Sequence, residues 1–313
     1  MALSGTVAPT DYGWYEFLRT RGSWVEVNFW TPSTHFAFRA EEFSPFLFKL
    51  KAPHNAICGF GYFARYSALP DWLAWDCFGD ANGCASLSVM RERISEIRRR
   101  MRYVGKERIA EIGCIVIVNV TFFPLGEWVP QPTDWPVRNL RPMRYDLEHG
   151  EGARVWAECL ERTSTYEVPS PQRSLLNEGG PRYGSAVVIR PRLGQGAFRV
   201  AVTDAYARAC AVTGEHSLPA LEAVHIKPFA LEGPHNVNNG LLLRADLHRL
   251  FELGYVTVTA DQCLEVSARL RADFNNGKTY YPLRGTPVAL PNPERLRPDP
   301  ALLQWHNESV FLG

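Results

Sequence analysis

The chain has 313 residues, of which 46% are hydrophobic and 21% are charged, and its formal net charge at pH 7 is +1. This length allows two domains with cores of their own, and the composition excludes a disordered or collagen-like chain. Because the net charge is close to zero, any nucleic acid must be held by local basic patches and not by the field of the whole chain.

Targeting and redox signals indicate a cytoplasmic protein. Residues 1–10 contain neither a basic nor an apolar signal region, and no run approaches the roughly 18 apolar residues that a membrane span needs. The seven cysteines include no CxxC pair, which favours reduced thiols and argues against a zinc knuckle. We therefore predict a cytoplasmic protein that does not enter a membrane and has no structural zinc.

The first half of the chain predicts aromatic-rich strands and a few helices. The predicted strands are residues 24–30, 42–50, 56–64 and 112–123. The predicted helices are residues 11–21, 69–78, 86–103 and 153–160. The third helix carries six arginines, which can hold DNA phosphates or form a solvated face. We expect a small β-barrel with flanking helices.

The amino-acid composition of the sequence changes near residue 165. Residues 166–194 are rich in Ser, Pro and Gly and contain one short β-like run, residues 186–190, so they predict a linker. We therefore expect one domain over residues 1–165 and a second over residues 195–313. The many prolines of the last forty residues predict an irregular, wrapped tail.

The second domain contains a strand–loop–strand–helix pattern that carries three polar residues. His225 ends a predicted strand over residues 222–226, Asn239 precedes a second strand over residues 241–244, and His248 lies on the helix that follows. Asp246 is the predicted N-cap of that helix.

These residue types suit hydrolysis of a phosphodiester. A His at a strand end can be the general base, and a second His on a facing helix can bind a divalent metal ion. Glu252 lies one helical turn after His248, on the same face. Asn239 can brace the loop through bonds to the backbone. The basic residues that can contact phosphate are Lys227, Arg244 and Arg249.

The segments CAVTG (210–214), LEAVHIKP (221–228), NNGLLL (238–243) and LHRLFELG (247–254) resemble the HNH endonucleases with the ββα-metal fold. The resemblance implies that His225 is the general base, Asn239 the structural Asn and His248 a ligand of Mg²⁺ or Mn²⁺. Val224 stands where relatives often carry another ligand, so Glu252 or Glu222 would complete the metal shell. His235 and His216 fit no motif position and are predicted to be solvated.

The run FLFKLKAPHNAICGFGYF (46–63) resembles PUA-like modules, especially the EVE and SRA branches that read modified bases. Such modules flip a base into a pocket between aromatic side chains. The candidate pocket residues are Asn28, Trp30, Trp72, Trp75 and Asn82. Because Trp72 and Trp75 are three apart on a predicted helix, core packing is the alternative interpretation.

Taken together, the sequence predicts an α+β protein with a PUA-like N-terminal domain and an HNH C-terminal domain. The function we expect is metal-dependent cleavage of DNA that carries modified bases, by a restriction enzyme acting as a homodimer or by successive nicks. Two alternatives stay open at this point: a nucleic-acid-binding regulator with a vestigial HNH scaffold, and a nuclease that acts on RNA.

Overall fold

The structure is a computed structural model that describes residues 3–35, 37–101, 111–165 and 194–313. The chain divides into two compact units, Met1–Arg192 and Leu193–Gly313. The linker predicted over residues 166–194 lies outside the described residues except for Gly194, and so does the strand predicted within it.

The first unit is built on one mixed sheet with helices around it. The strands are β1 Ser4–Thr10, β2 Glu26–Thr31, β3 Pro45–Leu50, β4 Ala56–Pro70, β5 Glu111–Phe122, β6 Val129–Pro130 and β7 Met143–Asp146. The helices are α1 Tyr12–Thr20, α2 Asp71–Phe78, α3 Leu87–Arg100 and α4 Gly150–Thr165. The strand order is β2-β5-β4-β3-β1-β7, with β6 paired to β4. Only the β1–β3 pairing is parallel among the pairings of the described residues in this sheet.

The α+β class is confirmed, but the expected barrel is not closed in the part of the chain that the structure describes. The sheet path ends at β2 on one side and at β7 on the other, and no pairing between described residues joins these two strands. β7 has only four residues and pairs with β1 alone, so the hydrogen-bonded path stops there.

Strand β3 lies in the middle of this sheet and is buried on both faces. Phe46 and Phe48 pack with Tyr15 of α1 on one face, whereas Leu47 packs with Trp156 of α4 on the other. All six residues of the strand are buried, which is the pattern of a strand covered by helices on both sides. The two apolar clusters therefore sit on opposite faces of one sheet.

The second unit contains the ββα arrangement that the sequence predicts. Its elements are α5 Gln195–Ala205, β8 Leu221–His225, β9 Gly240–Arg244, α6 Ala245–Glu252, β10 Val256–Val258, β11 Leu264–Val266, α7 Arg269–Phe274 and α8 Pro300–Ser309. Strands β8 and β9 are antiparallel, and α6 follows β9 directly. Leu247 and Phe251, one turn apart on α6, are buried with Val224 and Leu241 of the two strands. This apolar stripe fixes α6 on the hairpin.

The structure corrects two expectations about this unit. The first concerns the last forty residues: after Phe274 they form only short 3-10 turns, as expected of an irregular tail, until one regular helix, α8, which the prolines did not predict. Pro300 is compatible with a helix because it occupies the first turn, where a missing N–H costs nothing, and Asp299 caps that helix by accepting from the N–H of Ala301 at 2.9 Å. Asp246 is not the N-cap of α6: Arg244 holds that position, and Asp246 lies in the first turn and pairs with it.

No helix in the described ranges is both long and apolar enough to cross a membrane.

Candidate active site

Strand pairing brings His225 and Asn239 together. His225 is the last residue of β8 and is the register partner of Gly240, the first residue of β9. Asn239 immediately precedes Gly240, so the 14-residue separation in sequence becomes adjacency across the hairpin. Helix α6, which carries His248, packs against both strands.

Asn239 is fully buried and its side chain holds the loop between the strands. Its Oδ1 accepts from the backbone N–H of Lys227 at 2.8 Å, and its Nδ2 donates to the carbonyl of Lys227 at 2.9 Å and of Pro234 at 2.9 Å. These three bonds satisfy the amide and tie the two ends of the loop together.

His225 sits in an apolar setting that keeps it neutral. Its ring stacks on Phe198 of α5, with centroids 3.8 Å apart and an interplanar angle of 10°. Burial lowers the pKa of His225 to about 4, and the nearby rings of His235 and His248 add to the effect. The imidazole is therefore unprotonated at neutral pH and can accept a proton.

A glycine allows this stacking. A Cβ on Gly240 would lie 2.4 Å from Cγ2 of Val202 and 3.0 Å from Cζ of Phe198. Because both contacts belong to α5, only glycine at this position lets the helix approach the hairpin closely enough to cover His225.

His235 is part of the same cluster, although its sequence position predicts a solvated loop residue. It is half-buried, and its ring centroid lies 5.1 Å from that of His225 and 4.4 Å from that of Phe229. The signal that sequence reasoning missed is the aromatic residue in the same loop, which gives the imidazole something to pack on. His216, in contrast, is exposed as expected.

His248 lies between two carboxylates. Its Nδ1 is 2.5 Å from Oε2 of Glu222 on β8, and its Nε2 is 3.1 Å from Oε1 of Glu252 on its own helix. Val224 is 1% exposed and belongs to the core, so it offers nothing to this group. The structure thus places both candidate glutamates beside His248.

This donor set fits a magnesium-like ion that is bound only partly by protein. In the described residues no three His, Cys, Asp or Glu side chains surround one point closely enough to hold an ion unaided. Mg²⁺ usually takes one or two carboxylates and fills its other positions with water and phosphate oxygens, and neighbouring ligands at its ~2.1 Å bond length are about 3 Å apart. The spacing of His248 Nε2 and Glu252 Oε1 matches that geometry. Glu222 would orient the ring from its other nitrogen.

The three basic candidates differ in availability. Arg249 is 69% exposed and makes one long contact, 3.4 Å, to Glu252. Lys227 lies over the ring of Trp305, with its Nζ 5.6 Å from the centroid. Arg244 is paired with Asp246, so the charge of the arginine is already neutralised. Asp246 also accepts from the hydroxyl of Tyr280 at 3.2 Å.

Cys210, the residue nearest to a zinc-knuckle position, is fully buried in the apolar core of the second unit. There it packs as a small hydrophobic residue. The absence of structural zinc stays a prediction.

In the first unit, hydrogen bonds join three of the five pocket candidates, Asn28, Trp30 and Asn82. Asn28 and Asn82 are both fully buried, and Nδ2 of Asn28 donates to Oδ1 of Asn82 at 2.9 Å. The indole of Trp30 donates to the carbonyl of Asn82 at 2.9 Å. Asn82 also donates to the carbonyls of Ala74 and Gly79, so its amide is fully engaged with protein. Oδ1 of Asn28 has no partner among the described residues.

Trp72 and Trp75 lie on α2, which packs against β2, the strand of Asn28 and Trp30. Both indoles are half-buried, so they are neither core residues nor fully free. The arginines of α3 are largely engaged within the first unit. Arg91 pairs with Asp71 at 2.8 Å, and Arg98 donates to the carbonyls of Pro32 and Glu111.

Comparison with known proteins identifies the second unit. Residues 210–259 match the model of the HNH endonuclease family. The comparison with curated proteins found no match. Among solved structures, ASCH from Zymomonas mobilis is 8% identical, covers 49% of this chain and 93% of its own, and has a TM-score of 0.34. A modification-dependent restriction endonuclease, TagI, is 12% identical, covers 93% of this chain and 77% of its own, and has a TM-score of 0.30.

The family match begins at Cys210 and ends just after β10. It includes His225, Asn239 and His248, the residues that the hairpin and α6 bring together. Residues 210–259 of this chain, within the second unit, are an HNH endonuclease region.

Proposed function

We propose that this chain is a DNA endonuclease that needs a divalent metal ion and selects its DNA through the first unit. The observation that carries the proposal is the grouping of a neutral imidazole, His225, with the acid-flanked imidazole of His248 on one ββα unit. Hydrolysis of a phosphodiester needs both a base and a cation site, and this unit offers each of them.

The residues of the second unit would divide the work as follows. The imidazole of His225, which burial keeps in its neutral form, would take a proton from the attacking water. Asn239 keeps the end of β8 in place. Arg249 and Lys227 bind backbone phosphate, which gives affinity without sequence preference. A divalent ion at His248 and Glu252 would supply charge for the developing phosphorane.

Selection would fall to the first unit, because phosphate contacts carry no sequence information. Trp72 and Trp75 offer half-buried aromatic residues on α2, and β2, against which α2 packs, carries Asn28, a buried residue whose Oδ1 has no partner among the described residues. Stacking one base on an aromatic side chain contributes about 1–3 kcal/mol. We therefore propose that a modified base is recognised between α2 and β2. Since one such nuclease site cuts one strand, a double-strand break requires a homodimer or two successive nicks.

Binding and cutting can be tested separately with full-length protein. The His225→Ala variant should bind DNA without cutting it. Its affinity can then be measured for duplexes that differ only in cytosine modification. We expect tighter binding to at least one modified duplex, and a loss of about 5- to 100-fold of that preference in Trp72→Ala or Trp75→Ala. Leu140→Ala, a change at an exposed residue of the same unit, is the control. Equal binding to all duplexes would remove the reader role but leave the nuclease assignment intact.

A further inference from the structure

The loop between His225 and Asn239 displays two large apolar side chains to solvent. Phe229 and Leu231 lie on one short 3-10 turn and are 54% and 53% exposed. Leaving such side chains in water forgoes the stabilisation that burial would give. Single exposed apolar residues are common, but a pair on one turn next to a candidate active site points to a partner.

The turn is held so that these side chains cannot fold back onto the core. The N–H groups of Leu231 and Gly233 donate to the carbonyl of Pro228 at 3.0 and 3.1 Å. A Cβ on Gly233 would lie 1.9 Å from the carbonyl oxygen of Lys227, so this position accepts only glycine without a backbone shift. Asn239 holds the far end through Pro234. The exposure of Phe229 and Leu231 is therefore a fixed feature of the loop.

Phe229 packs on His235, which in turn packs on His225, the proposed general base. The ring centroids of Phe229 and His235 are 4.4 Å apart, and those of His235 and His225 are 5.1 Å apart. Both pairs pack edge-on. Lys227 precedes the turn, whereas the one acid, Glu232, follows it. A DNA strand bound with its phosphate at His225 would therefore lie near this turn.

We propose that Phe229 and Leu231 form an apolar wedge that enters the DNA at the cut and partly unstacks one base step. The inference rests on the proposed DNA endonuclease function and adds how the duplex is deformed. Apolar side chains of this kind kink DNA when they enter between base pairs in the minor groove. A kink would turn the scissile phosphate towards His225 and favour pyrimidine–purine steps, which unstack most easily.

The test compares matched duplexes with duplexes that carry a mismatch at the mapped cut position. Phe229→Ala should cut the matched duplex about 5- to 100-fold more slowly than wild type, since an aromatic stack on a base changes binding by about that factor, and Leu231→Ala should also cut it more slowly. On the mismatched duplex, whose step is already unstacked, the deficit should shrink to less than about threefold. Phe229→Leu, which keeps an apolar wedge, should retain most activity. Phe274→Ala, at a 60% exposed position on α7, is the control and should behave as wild type on both.

Two results would contradict the wedge proposal without contradicting the proposed endonuclease function. One is normal cutting of the matched duplex by both alanine variants. The other is an equal loss on matched and mismatched duplexes, which would indicate a general effect on the loop. Wild-type protein that cuts no DNA would instead overturn the proposed function, and the wedge with it.

Discussion

The side chain of Asn239 forms a closed pair of hydrogen bonds with the backbone of Lys227. The N–H of Lys227 donates to Oδ1 at 2.8 Å, and Nδ2 donates to the carbonyl of the same residue at 2.9 Å. Because Lys227 follows His225 by two residues, this pair fixes the direction in which the chain leaves β8. The position of His225, the proposed general base, thus depends on the side-chain amide of Asn239.

Replacing this amide by a carboxylate should be costly. Asn239→Asp keeps the acceptor for Lys227 N–H but sets an oxygen against the carbonyls of Lys227 and Pro234. We expect the free energy of unfolding to fall by about 2–3 kcal/mol, as for a buried group left without its partner, and cleavage to be lost. Chemical denaturation measures the first effect. Asn236→Asp is the matched control, since its Oδ1 only accepts, from the N–H of Asn239. If Asn239→Asp were as stable as wild type, this bracing role would be wrong.

The depressed pKa of His225 predicts the acid limit of activity. Since burial lowers this pKa to about 4, the base stays neutral well below the ordinary value of about 6.5. The rate at saturating metal and substrate should therefore hold from neutral pH down to about pH 5. A pH–rate profile checks this. An acid limb near pH 6.5 that belongs to His225 would contradict the burial argument.

The glutamate of α6 should control metal affinity. Glu252→Gln removes the charge next to His248 Nε2 and should raise the Mg²⁺ or Mn²⁺ concentration for half-maximal cleavage by about tenfold or more. Glu232→Gln is the control, because it removes the same charge from an exposed position in the loop. An unchanged metal requirement in Glu252→Gln would exclude this residue as a ligand.

The histidine of α8 should matter for stability. His306 is 2% exposed, stacks on Phe251 of α6, donates from Nε2 to the carbonyl of that residue at 3.1 Å, and accepts at Nδ1 from the hydroxyl of Thr257 at 2.8 Å. His306→Ala should lower the free energy of unfolding by about 2–4 kcal/mol. Gln304→Ala, on the exposed face of α8, should change it by less than about 0.5 kcal/mol. Similar values for the two variants would show that α8 does not support α6.

The pH dependence of that stability has a definite sign. Burial lowers the pKa of His306 to about 4, below its value in the unfolded chain. The unfolded state therefore binds more protons between pH 4 and 6.5, so the contribution of His306 is fully present above pH 6.5 and is lost as the pH falls towards 4. The slope should be reduced in His306→Ala, as measured by unfolding at several pH values.

The sequence predicted the ββα unit well because its signals are local. The hairpin, the helix and the three motif residues fall within about thirty residues, and their apolar periodicity sets which side chains face the core. The family assignment made from the same segments is confirmed. Strand β1 was missed because Ser4–Thr10 consists of small residues without a large apolar periodicity, and it becomes a strand only by pairing with β3 and β7.

Contacts between distant residues account for the other differences. Asn28 and Asn82 are 54 positions apart, so the sequence offers two amides for a base edge but does not show that one is bonded to the other. His306 supports α6 from 55 residues away, through a helix that the prolines of the tail concealed. The burial of His235 likewise depends on side chains that only the folded loop brings together.

Cleavage of supercoiled plasmid DNA by wild type, His225→Ala and His216→Ala, with Mg²⁺ or Mn²⁺ and with chelator, tests the central claim most directly. His216 is exposed and outside the site, so it controls for the loss of an imidazole. We predict that wild type and His216→Ala cut only with metal, and that His225→Ala folds normally but cuts about 10²–10⁴-fold more slowly. Cutting by His225→Ala at the wild-type rate, or by wild type in chelator, would contradict the account.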